Sequence, residues 1–320
     1  MVKRLRSALD PYILALLSTV GLASLLPAHG GFAVLCERVA DAAIVLLFFL
    51  HGAKLPRDAI LAGAGHWRLH LATLGATFVM FPILGLGIAA IPGLPVLVAS
   101  GMLFLTLLPS TVQSSIAFTS IARGNVAAAV VSASFSNIAG IFITPLLASL
   151  LMGGSGASMS LGSIEKIVVQ LLLPFVAGHL LRPLVGRFIH RHKSLVGYVD
   201  RGSILMVVYT AFSAAVVGGL WHKLPLWELG LLLGLSLLLL ALVMAATWGL
   251  GALLGFEKAD RIVLLFCGSK KSLASGVPIA GVLFPAAQVG VVILPLMLFH
   301  QIQLMACATI ARAFAAQAED

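Results

Sequence analysis

The sequence predicts an all-α polytopic membrane protein of ten transmembrane helices, arranged as two inverted five-helix repeats. Three observations carry that prediction. Hydrophobic residues make up 60% of the 320, charged residues only 10%, and the mean hydropathy is +1.11; a soluble domain carries about 25% charged residues to face water. The apolar residues gather in stretches of about 20, the length that crosses a hydrocarbon core ~30 Å thick. Lysine and arginine are shared unequally between the connecting segments, as in proteins whose basic loops stay in the cytoplasm.

Taken in order, the spans are expected at 12–27, 39–54, 68–91, 96–121, 125–152, 164–186, 202–221, 226–254, 260–284 and 289–313. Glycine, proline or charge separates them: Leu26-Pro27-Ala28-His29-Gly30-Gly31, Ile91-Pro92-Gly93-Leu94-Pro95, Gly153-Gly154-Ser155-Gly156 and the basic run Arg187–Lys193. The first span follows Lys3, Arg4 and Arg6 and could open a secretory signal. It lacks a strong cleavage pattern and nine spans follow, so it reads as a helix.

Placing the N-terminus in the cytoplasm puts fifteen of the 20 Lys and Arg residues on the cytoplasmic side. Only Arg38, Lys166 and Lys223 fall outside, and Lys270 and Lys271 lie within the ninth span. Both termini are therefore expected in the cytoplasm, and the span number is even. Ten spans divide into two sets of five, and an odd repeat unit makes the second copy insert upside down relative to the first.

The fourth and ninth spans hold equivalent places in the two halves, and both are interrupted. The fourth contains Leu107-Leu108-Pro109-Ser110-Thr111-Val112-Gln113-Ser114-Ser115; the ninth contains Phe266-Cys267-Gly268-Ser269-Lys270-Lys271-Ser272, then Gly276-Val277-Pro278. Proline removes a backbone donor, and serine and threonine compete for backbone groups, so Pro109 and Gly268 are the expected helix breaks. Paired breaks in matching spans point to a transporter's binding site. Unpaired backbone survives at that depth only where it lines a cavity or is buried in protein.

Two adjacent lysines there are costly, at about 2.5–3.5 kcal/mol for each basic side chain at a helix centre. At least one should face a cavity, while the other reaches the interface or a carbonyl. The candidate substrate or ion contacts are therefore Lys271, Lys270, Ser272, Ser269, Gln113, Ser114, Ser115, Asn137 and Ser134, with Ser132 and Ser136 beside the last two. His300, Gln301, Gln303, Gln170 and His179 read as interhelical hydrogen bonds, and His66 with His70 as a membrane-interface anchor rather than a metal site.

Other classes drop out. A net charge of +9 would suggest nucleic acid in a soluble chain, but here the charge sits in loops. Cys36, Cys267 and Cys307 form no C-x-x-C pair, so neither a disulfide framework nor a zinc site is implied. No G-x-S-x-G, H-E-x-x-H or G-x-x-x-x-G-K string occurs. The chain reads as no enzyme, with no cofactor, no nucleic-acid partner and no confident metal site.

From Pro109 through Ile121-Ala122-Arg123-Gly124-Asn125-Val126-Ala127 to Thr144-Pro145-Leu146-Leu147, the chain resembles the bile acid:sodium symporter family. The strings Ser269-Lys270-Lys271-Ser272-Leu273 and Leu50-His51-Gly52-Ala53-Lys54-Leu55 are more similar to the divergent branch typified by its seventh vertebrate member. The resemblance implies a panel domain over about 12–54 and 164–221 and a core domain over about 68–152 and 226–313. It also implies that helices 4 and 9 cross at unwound centres.

Sodium-coupled members carry a Glu and a Gln-Asn-Ser string in the ninth span, a Ser-Asn pair in the fourth, and Ser and Thr ligands in the fifth. Here those positions hold Phe266, Lys270-Lys271-Ser272, Ser114-Ser115, and Ala129 with Ala133. Most sodium-binding oxygens are gone. An ammonium group within a few ångströms would also repel sodium by several kcal/mol at an effective dielectric near 20.

The leading expectation is a transporter of a small organic anion in the bilayer of a bacterial inner membrane, working without sodium, with Lys271 standing in for the cation. The alternatives are a proton-coupled or residually sodium-coupled symporter, and a membrane receptor or regulatory subunit that binds without transport. Topology gives the first test. Cysteines introduced at Gly154 and Ser194 should label from opposite faces, Ser194 from the cytoplasm; labelling from one face would remove the ten-span count.

Overall fold

The computed structural model describes residues 11–54, 64–152, 165–223 and 225–317. The basic start Lys3, Arg4 and Arg6, residues Leu55 and Arg57, and the break Gly153-Gly154-Ser155-Gly156 lie outside these residues. Among the described residues the regular secondary structure is all helical, without a strand. In chain order the helices are α1 Pro11–Leu25, α2 Gly30–Ala53, α3 Trp67–Ala89, α4 Val96–Leu107, α5 Gln113–Ile121, α6 Val126–Met152, α7 Glu165–Arg191, α8 Lys193–Val217, α9 Leu226–Leu253, α10 Lys258–Gly268, α11 Leu273–Leu283 and α12 Ala286–Ala316.

Among the described residues, seven stretches are long and apolar enough to cross a bilayer: α3, α6, α7, α8, α9, the pair α10–α11 and α12. α1 and α4 are shorter apolar helices. α2 carries Glu37, Arg38 and Asp41 on its first half. The molecule is a polytopic helical membrane protein.

Several helix ends differ from the hydropathy reading. α2 starts at Gly30, not at 39, and α8 starts at Lys193, not at 202. The basic run Arg187–Lys193 is helical except for the junction at His192, which has φ −112° and ψ 40°. The reason is that charge ends a membrane stretch but not a helix: Arg and Lys are good helix formers, and they favour helix C-termini.

The chain divides into two compact units. The first holds α1, α2, α7, α8 and residues 277–291. Its tightest seam lies between α2 and α7, where each helix offers a glycine to the other's backbone. A Cβ at Gly52 would overlap the Phe175 carbonyl oxygen, and one at Gly178 would overlap that of Phe49. Lys54, at the end of α2, forms an ion pair with Asp200 of α8. Tyr209 of α8 donates to the Leu26 carbonyl just after α1, at 2.9 Å.

The second unit holds α3–α6, α9, α10, residues 273–276 and residues 292–316. α3 contains a π-turn at Ala76–Met80, where the Phe81 N–H reaches back to Ala76 O. Pro82, one residue further on, has no N–H for the ordinary ladder. The string Ile121–Ala127 proves to be a corner. Arg123 takes φ +57°, Asn125 Oδ1 accepts the Ala128 N–H at 3.1 Å to cap α6, and Asn125 Nδ2 donates to Asp260 at 2.9 Å.

The glycine seam yields a stability prediction. Gly178→Ala and Gly52→Ala should each lower the melting temperature of the solubilised protein by an amount equivalent to about 1–3 kcal/mol, the usual cost of overpacking. Gly87→Ala, on an exposed position where an added Cβ meets nothing within 4 Å, should not. The three melting curves, read side by side, check it; no loss at Gly178 would mean that the seam can open.

Candidate functional site

Both interruptions expected from the sequence lie in the second unit. α4 ends at Leu107 and α5 starts at Gln113; α10 ends at Gly268 and α11 starts at Leu273. Leu108 is extended, with φ −78° and ψ 155°, as the residue before a proline must be.

Each break leaves backbone groups without helical partners, and the neighbouring helices supply them. Thr144 of α6 donates to Leu107 O at 2.8 Å, and Ser136 of the same helix accepts the Ser110 N–H at 2.9 Å. Gln303 of α12 clamps Lys271 through both halves of its amide, with Oε1 accepting the Lys271 N–H and Nε2 donating to the Lys271 carbonyl, each at 2.9 Å. The two breaks also bond each other: the Ser272 N–H donates to Pro109 O at 2.9 Å. α11 is capped by Ser272 Oγ, which accepts the Ser275 N–H at 3.2 Å, and Ser275 Oγ donates to Asn137 Oδ1 at 2.7 Å.

Lys271 is wholly buried, at 0% exposure. Its Nζ donates to three backbone carbonyls: Thr77 at 2.8 Å, Thr106 at 2.7 Å and Leu108 at 2.7 Å. A lysine ammonium has three protons and no acceptor, so the cage saturates it. Thr106 O and Leu108 O belong to the C-terminal end of α4, where the helix carries partial negative charge, and Thr77 O belongs to the π-turn. The Phe81 ring closes the remaining side, 4.0 Å from Nζ. Charge-assisted bonds of this kind contribute roughly 1.5–3 kcal/mol each, enough to offset the cost of placing the charge there.

Lys270 is buried as completely, yet its surroundings differ. Its Nζ lies 3.4 Å from Ser114 Oγ, beyond the usual range of such bonds. The Phe118 and Phe266 ring centres lie 4.5 and 5.6 Å away. Among the described residues neither lysine pairs with a carboxylate. Lys271 is held by oxygen, and Lys270 by aromatic faces.

The structure thus brings Lys270, Lys271, Ser272, Ser114 and Asn137 into one junction. Ser115 donates to Phe266 O at 3.0 Å, and Ser269 turns back to Leu265 O; both secure backbone. Gln113 is exposed at the start of α5, and Ser134 is buried on α6 outside this set of bonds. His70 departs from its expected interface position. It is buried, 2.7 Å from Ser132 Oγ and edge-on to Phe135, because its side of α3 faces inward while His66 remains half exposed.

Thr77 and Thr106 were not singled out in the sequence. Their contribution is a carbonyl, which every residue carries; the one available signal was Phe81-Pro82, which disturbs the helix beside Thr77. Ser275 was readable as half of an S-x-x-S cap. At the positions where the resemblance implies sodium-binding oxygens in sodium-coupled members, this chain has Ala129, Ala133 and Phe266, which are buried and offer no side-chain oxygen.

Residues 10–316 match the profile of the SBF-like CPA transporter family. The chain is 53% identical to "Putative symporter YfeH" of Escherichia coli, over 97% of this chain and 94% of that protein. It is 55% identical to a protein of Pseudomonas aeruginosa named PA2026, over the same shares. "Sodium/bile acid cotransporter 7" of Rattus norvegicus is 26% identical over 83% of this chain and 80% of its own length. The broken-helix strings, the buried lysine junction and these matches agree: the chain is a membrane transporter, not an enzyme, and belongs to the SBF-like CPA transporter family, of the bile acid:sodium symporter kind.

Proposed function

We propose that this protein is a secondary transporter that moves a small organic anion by alternating access, without a sodium site, the Lys271 ammonium holding the place of the cation. The observation that carries the proposal is the cage of three carbonyls around Lys271 Nζ, at the point where the two helix breaks bond each other. A tethered ammonium there supplies a positive charge. The donor set does not fit sodium, because Ala129, Ala133 and Phe266 contribute no oxygen and Lys271 already takes the carbonyls.

The two lysines divide the work. Every proton of Lys271 is engaged, so it acts on an anion through its charge and by fixing the breaks. Lys270 has protons to spare beside Ser114 and the first turn of α5, and it is the residue that meets the anion directly. The architecture that goes with this reading has ten spans in two inverted sets of five, with α4–α5 and α10–α11 as the equivalent broken spans. The panel domain takes about residues 12–54 and 164–221 and the core domain about 68–152 and 226–313, both termini lie in the cytoplasm, and the membrane is a bacterial inner membrane.

Purified protein in liposomes tests the reading. A thermal-shift screen over carboxylates, sulfated amphipaths and neutral metabolites supplies the substrate; a ligand at a hundredfold excess over its Kd stabilises by about 2.7 kcal/mol. Uptake of that compound should be concentrative and equal in sodium and choline buffers. Dependence on sodium would sink the sodium-free mechanism, and saturable binding without uptake would make the protein a receptor.

Two substitutions separate the lysines. Lys271→Ala leaves three buried carbonyls short of a donor, at about 1–3 kcal/mol for each unsatisfied group, so it should lose both thermal stability and transport. Lys270→Ala orphans no carbonyl; it should keep its melting temperature and lose anion binding. If Lys270→Ala binds and transports normally, the anion contact lies elsewhere in the junction.

A further inference from the structure

Outside the junction, the second unit has an apolar groove of roughly 490 Å³ between α3 and α9. Ala72, Gly75, Val79 and Ile83 line it from one helix, Leu250 from the other, and Leu254 from just past that helix's end. The first four recur at helical spacing, so they form one stripe down α3. A Cβ at Gly75 would meet nothing within 4 Å; the glycine keeps the groove open and serves no close helix contact. From Ala72 to Leu84 the stripe extends about 18 Å at 1.5 Å per residue, a little more than one leaflet's share of a hydrocarbon core ~30 Å thick.

The end of the groove nearest Ala72 is basic. Arg68, one turn earlier on α3, is exposed, and its guanidinium donates to the carbonyl of the lining residue Leu254 at 3.2 Å while lying 5.9 Å from the Phe256 ring centre. Five N–H groups fan out from a guanidinium, and one of them makes this bond. Trp67, 62% exposed beside it, is the residue type that settles at the headgroup level of a bilayer. An apolar channel as long as one leaflet, ending at an arginine with free N–H groups at the interface, has the shape and charge of a phospholipid.

We propose that this groove is a specific site for an anionic glycerophospholipid, one acyl chain lying along the α3 stripe and the phosphate held by Arg68. A basic pocket between membrane helices is where such headgroups bind, and arginine pairs with phosphate oxygens in a bidentate fork. The site is separate from the lysine junction, so it stands whether or not the transport mechanism above is correct.

Native mass spectrometry of the full-length detergent-solubilised protein tests it, with dioleoyl phosphatidylglycerol as the probe and the phosphatidylcholine of the same chains as the control. Wild-type protein should retain one phosphatidylglycerol in preference to phosphatidylcholine. Arg68→Gln should weaken that retention about tenfold, the equivalent of roughly 1.4 kcal/mol, and leave phosphatidylcholine unchanged. Gly75→Leu places its Cβ where nothing lies within 4 Å and its remaining carbons in the groove, so it should keep the melting temperature and lose the bound lipid. It decides the matter should Arg68→Gln misfold.

Equal retention of the two lipids by wild-type protein would overturn the proposal, as would wild-type retention of phosphatidylglycerol by Gly75→Leu. A change in oligomeric mass on Gly75→Leu, with lipid retention unaltered, would make the groove a protein interface and overturn it equally.

Discussion

The interaction on which the second unit depends is the saturation of the Lys271 ammonium by three backbone carbonyls. In hydrocarbon no water can stand in for a missing acceptor, so a buried charge must find oxygen within the protein. A regular helix offers none, because its carbonyls are bonded internally. The helices must therefore be interrupted to make room for the lysine. The α4 break frees Thr106 O and Leu108 O, and the π-turn of α3 presents Thr77 O.

The interruptions create a second demand, met by ordinary polar residues. Thr144 and Ser136 of α6 satisfy the α4 break, Gln303 of α12 satisfies the α10 break, and Pro109 O accepts the Ser272 N–H. None of these side chains carries charge. Each replaces a helical bond that the break removed, and each ties a further helix to the junction. The lysine and its scaffold are thus mutually required: without the cation the carbonyls lack a donor, and without the clamps the breaks expose unpaired backbone.

Much of this was legible in the sequence, and the reason is the cost of polarity in a membrane. Pro109, Gly268, Lys270 and Lys271 stand out because each breaks a rule of apolar helices, and they lie where the chain is broken. The carbonyl cage was not legible: Thr77 and Thr106 act through atoms common to all residues, and only folding selects which carbonyls meet. Hydropathy also misplaced the starts of α2 and α8, since it reads where lipid begins and not where a helix does. That one of the two lysines would reach a carbonyl was legible, and Lys271 does so; their relative directions were not. Adjacent residues point about 100° apart only on a helix, and 269–272 is not helical.

The contrast between the two lysines carries the chemical consequence. An ammonium among carbonyls is held in a polar cage and is as fixed as a bound ion. An ammonium among phenyl rings is attracted by their faces by about 0.5–2 kcal/mol, less than a full set of oxygen bonds provides. Lys270 is therefore buried with its hydrogen-bonding capacity largely unspent beside Phe118, Phe266 and Ser114. Buried polar groups in that condition are the ones whose state changes when a partner arrives. A carboxylate reaching Lys270 would complete what its aromatic neighbours leave incomplete, and it would do so beside the Lys271 backbone that Gln303 and the two breaks hold in place. Under the proposed function, anion binding at Lys270 and the conformation of the junction would be joined through a single peptide bond, the one between residues 270 and 271.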